Sequence, residues 1–488
     1  MNEADVLRTL SRMNTWWGGD EVPGSLLKAQ HRRLDFFHLY GRIHDERQVL
    51  TIRGPRQVGK TTVVGQLIHN LLGQPLVSPE HVLYVNAENT QLLPEIDGLI
   101  ENSIEAYEGN ILGQSIRDVD SRIYVFIDEI QKIPDWAETV KYYTDTFRNL
   151  KFVVTGSIST LIQDDASESL VGRLDEYLLM PMKFAEYARY HDAFTKEEIT
   201  DDAHGIREAL KTSVKNGDAS DFTNRLAGFY GRFGETEPKL RALSNEYLLK
   251  GGYPDVLNEE YVDAFAVLDS NLRNTVRGDI PSVFDVRKPD VLIELLNLAA
   301  HSSGQKYSVQ TLHESLSVGR ETVEKYLDYL EEFFLIGRVA RYSSGAYGGR
   351  GRKKIYIPDT GLLNTLNSNL VESTLDNPDA MGQILETACF DLCKRLQFHL
   401  SDYQSAQVAY WDEPGEVDFV LSTPSYCLPV EVKNGDPTTR ELRGMRAVLE
   451  KTPAEFGVVV NRAGVLEQES VSSGEVVYVP AWLFFTFC

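Results

Sequence analysis

Short apolar runs alternate with amphipathic stretches between residues 46 and 180 of this 488-residue chain. Four of the apolar runs are centred on Ile52, Leu83, Val125 and Val153. Each run is bounded by turn-forming or polar residues, which is typical of a buried strand. After the first run, apolar residues recur at helical spacing over residues 62–72. This alternation predicts an α/β domain built on a parallel sheet.

The pattern changes twice further along the chain. Residues 181–285 are helical in pattern and strongly charged, and we predict that they form a helical lid or a charged insertion. Residues 286–358 contain three helical patterns and then two strand patterns around a Gly-rich tip. This order predicts a winged helix, whose third helix can enter a major groove. Residues 376–488 read as a further α/β domain.

The loop after the first strand fits the phosphate-binding pattern G-x-x-x-x-G-K-[ST]. Lys60 is expected to contact the β- and γ-phosphates, and Thr61 to offer its hydroxyl to Mg²⁺. Because a helix begins here, backbone N–H groups and the helix dipole favour a bound anion. The predicted contacts are Gly54, Pro55, Arg56, Gln57, Val58, Gly59, Lys60, Thr61 and Thr62.

The strand centred on Val125 ends in two acidic residues, Asp128 and Glu129. We predict that Asp128 holds Mg²⁺ and that Glu129 polarises an attacking water as a catalytic base. Thr155 and Ser157 end another strand, and they either contact the γ-phosphate or only mark the end of that strand. No guanine-reading Asn-Lys-x-Asp sequence occurs at a suitable place, which favours ATP. The sequence therefore predicts a nucleotide hydrolase.

Arg173 is a candidate catalytic residue that would neutralise charge on the γ-phosphate. It could act within its own chain or across a boundary between subunits, so self-association is a candidate property. The alternative is a surface arginine or one held in an ion pair.

Charge limits the ways in which this chain can bind nucleic acid. Lys and Arg number 49 against 72 Asp and Glu, a net charge of −23. Such a surface repels DNA unless basic residues gather locally. They do so in the predicted winged helix, where the predicted DNA contacts are Arg320, Lys325, Arg350, Arg352, Lys353 and Lys354. The alternatives are a solvated hairpin, or a winged helix that serves as a spacer or protein dock.

A second set of candidate catalytic and metal-binding residues lies in the last domain. Glu431 and Lys433 fall on one face of a strand, and Asp418 lies on the strand before it. Glu386, on a predicted helix, can add a carboxylate. Glu386, Asp418 and Glu431 are candidate Mg²⁺ ligands, with Lys433 as a catalytic group for phosphodiester cleavage. The alternative is a scaffold that has the charged strand face and no turnover.

Neither a membrane nor a disulfide framework is indicated. Four cysteines in a chain of this length do not form a disulfide framework. The N-terminus has no basic signal region, and no run of about 18 apolar residues occurs. We therefore expect a cytoplasmic protein without a membrane partner.

Taken in order, the motifs resemble those of prokaryotic AAA-type ATPases with a C-terminal domain of unknown function 4143. The motifs lie at residues 54–62, 128–136, 155–157, 172–173, 251–254, 358–362, 416–418 and 430–433. The lead-in of residues 1–45, with Asn14-Thr15-Trp16-Trp17, is similar to the archaeal branch. This lead-in either packs over the nucleotide base or caps the sheet.

The resemblance implies a P-loop ASCE/AAA-type parallel sheet with a helical lid, then a winged helix and a restriction-endonuclease-like α/β domain. It implies ATP and Mg²⁺ positions at Lys60, Thr61, Asp128 and Glu129. Our first hypothesis is an ATPase that acts on or near DNA and has Mg²⁺-dependent nuclease capacity. The alternative is a regulatory NTP switch that binds DNA or protein through its winged helix and cuts nothing.

Overall fold

A computed structural model describes most of the chain, and its residues group into two compact units, Met1–Met180 and Pro181–Cys488. The described residues are 3–29, 31–89, 91–92, 96–157, 170, 172–343, 352–401, 406–435 and 442–488. No helix in these ranges combines the length and the apolar character needed to cross a bilayer.

The first unit alternates helices and strands, as the apolar pattern predicts. Its elements are α1 (Glu3–Met13), α2 (Leu34–Ile43), β1 (Val49–Arg53), α3 (Lys60–Leu72), β2 (Val82–Asn86), α4 (Leu99–Tyr107), β3 (Ile123–Asp128), α5 (Trp136–Thr146), β4 (Leu150–Gly156) and β5 (Leu174–Leu178).

The strands form one five-stranded sheet in the order β2-β3-β4-β1-β5. Each pair of neighbours is parallel. Every residue of β1, β3 and β4 is buried, as expected when helices cover both faces of a parallel sheet. The predicted α/β class with a parallel sheet is confirmed. Since β4 lies between β1 and β3, the segments that follow these two strands flank the end of β4.

The aromatic lead-in covers the edge strand β2. The Asn14 side chain donates to the Tyr84 carbonyl at 2.8 Å and accepts from the Tyr84 N–H at 2.6 Å. The indole N–H groups of Trp16 and Trp17 both donate to the Val82 carbonyl at 3.0 Å. These side chains supply the pairing that a further strand would give, which protects an otherwise open edge. Of the two predicted alternatives, the lead-in takes the role of a sheet cap.

The second unit begins with helices and continues into a mixed sheet. Its first elements are α6 (Phe184–Tyr190), α7 (Ala203–Asn216), α8 (Ser220–Arg232), α9 (Glu237–Lys250), α10 (Tyr261–Asn274), α11 (Ile280–Val283), α12 (Pro289–His301), β6 (Lys306–Tyr307), α13 (Val309–Leu316), α14 (Arg320–Glu332), β7 (Gly337–Arg341) and β8 (Lys353–Tyr356).

The remaining elements complete that sheet and its helical cover. They are α15 (Thr360–Leu366), α16 (Pro378–Leu400), β9 (Gln407–Trp411), β10 (Val417–Ser422), β11 (Cys427–Lys433), α17 (Arg443–Lys451), β12 (Phe456–Asn461), β13 (Glu467–Val471), β14 (Gly474–Pro480) and α18 (Ala481–Phe487).

The helices of the predicted lid or charged insertion group with the second unit. Asn364 on α15 donates to the carbonyls of Leu248 and Leu249 on α9 at 2.9 and 2.8 Å. The Asp359 carboxylate accepts from the Gly252 N–H at 2.8 Å. Buried polar contacts of this kind fix α9 against the segment after β8. A lid role for these helices stays a prediction.

The strands of the predicted winged helix do not stand apart from the last domain. One nine-stranded sheet has the order β13-β14-β12-β11-β10-β9-β7-β8-β6. Strand β7 pairs in parallel with β9, with Ala340 opposite Ala409 and Arg341 opposite Tyr410. The three helices α12, α13 and α14 and the hairpin β7–β8 occur in the predicted order. Their hairpin, however, is continuous with the last domain's sheet.

Candidate nucleotide site and a lysine-bound carboxylate cluster

The backbone of the loop between β1 and α3 requires glycine at two positions. Gly54 and Gly59 have φ of 155° and 92°, in a region that disfavours other residues. A Cβ on Gly54 would lie 1.9 Å from the Leu179 carbonyl oxygen. The buried Lys60 donates from Nζ to the carbonyls of Gly54 and Pro55 at 2.9 and 2.8 Å. The loop therefore holds an ammonium group at its centre.

Asp128, the last residue of β3, faces this loop across the carboxyl end of the sheet. Its carboxylate accepts hydrogen bonds from the Thr61 hydroxyl at 2.7 Å, the Tyr84 hydroxyl at 3.1 Å, and the Thr155 hydroxyl. Asp128 is 1% exposed. Among the described residues it has no ion-pair partner, so its hydrogen-bonding partners here are neutral hydroxyls.

Thr61 and Asp128 fit a Mg²⁺ ion on the chemistry of their donor atoms. Mg²⁺ prefers oxygen ligands and binds through one or two carboxylates together with substrate phosphates. A hydroxyl and a carboxylate oxygen 2.7 Å apart, with no cation paired to the carboxylate in the described ranges, meet that requirement.

Glu129 follows Asp128 in a left-handed backbone conformation, with φ 58° and ψ 48°. A residue other than glycine persists there only when its surroundings fix it, and such strain often marks functional positions. Its N–H donates to the Thr155 hydroxyl at 3.1 Å. Its carboxylate accepts from Gln131 Nε2 at 2.5 Å, and that amide also donates to Ser157 at 3.2 Å. Glu129 is therefore oriented from both its backbone and its side chain.

Burial raises the pKa of Glu129 above its ordinary value, although the positive charge of Lys60 opposes this shift. A catalytic base works best when its pKa approaches the operating pH. The environment of Glu129 therefore moves it in the direction that base catalysis favours.

Sequence reasoning missed three residues that shape this site: Tyr84, Gln131 and Arg33. Arg33 donates to the carbonyls of Val58 and Met180 at 2.9 Å each and so braces the loop. Gln131 lies two residues after Glu129, close enough in sequence for its role to be suspected. Arg33 and Tyr84 reach the site from distant segments, and no local pattern marks them.

Arg173 does not lie at the nucleotide loop of its own chain. Strand β5 runs parallel to β1, with Leu174 opposite Val49 and Leu178 opposite Arg53. Arg173 therefore precedes the amino end of β5, roughly 16 Å along the strands from the loop at about 3.3 Å per residue. Its guanidinium forms an ion pair with Asp145. This register corrects the prediction of a role within the chain, and a role across subunits stays a prediction.

In the second unit, the structure does bring Asp418, Glu431 and Lys433 together. The Asp418 carboxylate accepts from the Val432 N–H at 2.9 Å, and Glu431 and Lys433 form an ion pair. Burial, followed by the charge of Asp418, raises the pKa values of Glu386 and Glu431. These carboxyl groups therefore need a nearby cation in order to ionise together.

Lys354, on β8, supplies a cation to Glu386, whereas Lys433 supplies one to Glu431. Its Nζ lies 2.6 Å from Glu416 Oε1, 3.1 Å from Glu386 Oε1 and 3.6 Å from Asp418 Oδ1. The side chain is 2% exposed. Burial lowers its pKa, but the surrounding carboxylates outweigh this and raise the pKa overall. We call Lys354, Glu386, Glu416 and Asp418 the lysine cluster.

The lysine cluster corrects two predictions. Lys354 was predicted to contact DNA, but its ammonium is buried among carboxylates. Glu386, Asp418 and Glu431 were predicted to hold Mg²⁺, but an ammonium already lies against two of them. No group of three or more His, Cys, Asp or Glu residues in the described part of the chain is arranged to hold a metal ion. The cluster therefore does not fit the predicted Mg²⁺ site.

The other predicted DNA contacts have mixed surroundings. Arg320 and Lys325 are exposed on α14, but that helix has two basic and five acidic residues. Such a helix repels a phosphate backbone. Arg352 and Lys353 are exposed at the start of β8, and Arg350 lies outside the described residues.

Three family models match successive parts of the chain. Residues 46–188 match an AAA domain, residues 241–374 a domain of unknown function (DUF8612), and residues 381–483 a domain of unknown function (DUF4143). The first unit is thus a P-loop α/β domain of the AAA type. The chain as a whole combines an AAA domain with a DUF4143 domain, which confirms the predicted resemblance.

Relatives extend over nearly the whole chain at low identity. An uncharacterized protein of Methanocaldococcus jannaschii is 23% identical over 445 residues, covering 90% of this chain and 84% of its own. An uncharacterized protein of Haemophilus influenzae is 22% identical over 463 residues, covering 93% and 99%.

Two solved structures also match, at lower similarity. They are C. elegans PCH-2 (TM-score 0.21, 14% identity, 43% of this chain and 48% of that one) and the S. cerevisiae Hsp104-ADP complex (TM-score 0.29, 13% identity, 80% and 47%).

Proposed function

We propose that the first unit binds ATP with Mg²⁺ and hydrolyses it to ADP and phosphate. The observation that carries this proposal is the 2.7 Å contact between Thr61 and Asp128, with Lys60 in the same loop and Glu129 next in the chain. These four side chains have the chemistry that phosphoryl transfer needs: positioning, charge neutralisation and an oriented nucleophile.

In this mechanism the loop amides and the Lys60 ammonium bind the β- and γ-phosphates. Thr61 and Asp128 would hold Mg²⁺, which supplies positive charge to the phosphate oxygens when it is bound. Glu129 accepts a proton from the attacking water, whose oxygen forms a bond to the γ-phosphorus. The bond between that phosphorus and the bridging oxygen breaks, and ADP leaves. Gln131 and Thr155 hold Glu129 in position for the proton transfer.

The test is Mg²⁺-dependent release of phosphate from ATP by the purified full-length chain. Lys60→Ala should lower kcat/KM by about 100-fold or more, since it removes a charge that stabilises the transition state. Lys433→Ala, in the second unit, is the matched control and should leave turnover unchanged. Turnover that survives Lys60→Ala would place hydrolysis elsewhere and refute the proposal.

For the second unit, the alternative without nuclease activity is better supported. The reason is the lysine cluster, in which an ammonium stands where a nuclease would need a metal ion. Clean protein incubated with plasmid and Mg²⁺ or Mn²⁺ should therefore leave the DNA intact. Cleavage that Asp418→Ala abolishes and Lys60→Ala preserves would instead establish the nuclease.

DNA as a partner stays a proposal, supported by the exposed Arg352 and Lys353 and opposed by the acidic α14. An anisotropy titration with duplex DNA at several salt concentrations tests it. If β8 contacts the backbone, Arg352→Ala and Lys353→Ala should each weaken binding on all sequences and reduce the salt slope by about 1. An unchanged slope would remove these residues from the interface.

A further inference from the structure

We propose a second anion site, in a cavity of about 250 Å³ in the second unit, that binds a phosphate group. The cavity is lined by Arg241, Ser244, Asn245, Asn434, Arg462, Ala463 and Trp482. None of these residues belongs to the nucleotide loop or to the lysine cluster.

Fold topology places the cavity where α/β sheets usually bind ligands. Strands β11, β12 and β14 are parallel neighbours. Asn434 follows β11, Arg462 follows β12, and Trp482 lies just beyond β14. The crevice outside the carboxyl ends of parallel strands is the general ligand position of such sheets. The remaining wall comes from α9, whose positions 241, 244 and 245 share one helix face.

The polar partners of the Arg462 side chain in the described residues are neutral groups. Its guanidinium donates to Asn245 Oδ1 at 3.1 Å and to the Leu375 carbonyl at 3.0 Å. No ion pair of Arg462 occurs within the described ranges. Burial lowers its pKa, while the charge of Asp376 opposes that shift. A half-buried guanidinium with neutral partners is favourable chiefly when an anion joins it.

Arg241 stabilises the geometry of this wall. It pairs with Glu237 at 2.6 Å and donates to the carbonyls of Arg462 and Gly464 at 3.0 and 2.8 Å. These bonds fix the turn that follows β12, and with it the backbone of Arg462. Arg241 is therefore a positioning residue, and Arg462 is the residue expected to meet the ligand.

Trp482 provides the second, independent sign of a ligand. It is 1% exposed, and within the described part of the chain its indole N–H has no hydrogen-bond partner. Buried donors without a partner are uncommon and call for a physical reason. Asn434 and Ser244 add an amide and a hydroxyl to the same wall. A tetrahedral oxyanion, which offers several acceptor oxygens, would satisfy this group of donors.

The experiment uses the full-length chain with Lys60→Ala, which weakens phosphate binding at the nucleotide loop, and the cavity variants then distinguish the two sites. Inorganic phosphate is titrated by calorimetry, and a 5′-phosphorylated dinucleotide is titrated in a parallel arm. Arg462→Gln should weaken binding by about 10-fold or more, the scale of one charge-assisted hydrogen bond. Arg443→Gln changes an exposed arginine outside the cavity and should leave binding intact.

Trp482→Phe keeps an aromatic ring beside Tyr230, against which Trp482 stacks at 5.9 Å, and removes the N–H donor together with the pyrrole part of the indole. It should weaken binding less than Arg462→Gln does, and it decides the question if Arg462→Gln fails to fold. Binding of the dinucleotide alone would support the site with a nucleic-acid phosphate as the source. Binding of neither probe, or binding unaffected by both cavity variants, would overturn the proposal.

Discussion

Two aspartates, the buried Asp128 in the first unit and the partly buried Asp418 in the second, each have a neighbouring acid but different hydrogen-bonding and ionic partners. The Asp128 carboxylate accepts from three hydroxyls and has no ion pair in the described ranges. Asp418 lies in the lysine cluster, 3.6 Å from the ammonium of Lys354. The residue type is the same, so the difference lies in what neutralises the negative charge.

This difference bears on which carboxylate can take up a metal. Neutral hydroxyls orient a carboxylate without cancelling its charge, so a divalent cation still gains the full attraction. An ammonium among several carboxylates already supplies that attraction, and removing it leaves partly buried charges unpaired. Counting acids in a motif therefore does not identify a metal site, because the nearest cation of the chain must be counted as well.

Replacing Glu129 should have the largest effect, and it tests the catalytic role of the site in the first unit. Glu129→Gln removes the base, so kcat should fall by about 10²–10⁴-fold. Binding of Mg·ATP should persist, since Lys60, Thr61 and Asp128 remain. Phosphate release and calorimetry measure the two quantities, and the exposed Glu138→Gln is the control. Loss of binding together with turnover would mean that Glu129 holds the site together instead of acting as base.

Replacing Lys354 should break the lysine cluster. Lys354→Met should lower the free energy of unfolding by up to about 3–5 kcal/mol, the value for a fully buried pair, since the partly buried Glu386 and Asp418 lose their partner. Lys353→Met, one residue earlier and exposed, should change it by less than about 0.5 kcal/mol. Denaturant titrations compare the two. Equal stability of both variants would contradict the importance of the Lys354 ion pairs.

The same variant has a definite pH dependence. Carboxyl groups with raised pKa values bind more protons in the folded than in the unfolded chain, so their stabilising contribution falls as the pH rises. Lys354 lowers the pKa of Glu386, so without Lys354 that pKa should rise further. The destabilisation by Lys354→Met should therefore be largest above neutral pH and should shrink in acid.

A hydroxyl partner should matter less than the ammonium. Tyr84→Phe removes one hydrogen bond to the Asp128 carboxylate and should lower the free energy of unfolding by about 1.5–3 kcal/mol. The exposed Tyr142→Phe is the control, and thermal or denaturant unfolding is the measurement. A larger loss of stability in Tyr84→Phe than in Lys354→Met would contradict the view that the ammonium stabilises its carboxylates more than a hydroxyl stabilises Asp128.

The smallest expected effect is a shift of the pH–rate profile. Turnover needs Glu129 as a carboxylate, so it should rise with pH through the pKa of that group. The Gln131 hydrogen bond lowers this pKa. Gln131→Leu should therefore move the acid limb of kcat/KM to higher pH, with little change at the plateau. An acid limb that stays in place would argue against Glu129 as the titrating base.

The sequence predicted the parts of the site that are local in the chain. Gly54, Lys60 and Thr61 lie within one motif, and Asp128 ends an apolar strand. A parallel sheet brings such strand ends together wherever they occur in the chain. Arg33 was missed because its contact with Met180 spans 147 positions, which no spacing rule covers.

Misassignments arose where sheet register decides the outcome. Arg173 directly precedes strand β5. The parallel register with β1 places it at the amino end of the strands, whereas the nucleotide loop lies at their carboxyl end. Lys353 and Lys354 look alike in the sequence, and alternation on β8 turns one outward and the other into the lysine cluster. The pairing of β7 with β9, which joins two predicted domains, has no signal in either strand alone.

The most direct test is a calorimetric titration of Mg·ATP into wild-type protein, Asp128→Asn and Asp418→Asn. We predict that wild type and Asp418→Asn bind alike, and that Asp128→Asn binds markedly more weakly in the presence of Mg²⁺. Binding that is lost in Asp418→Asn and retained in Asp128→Asn would contradict the account.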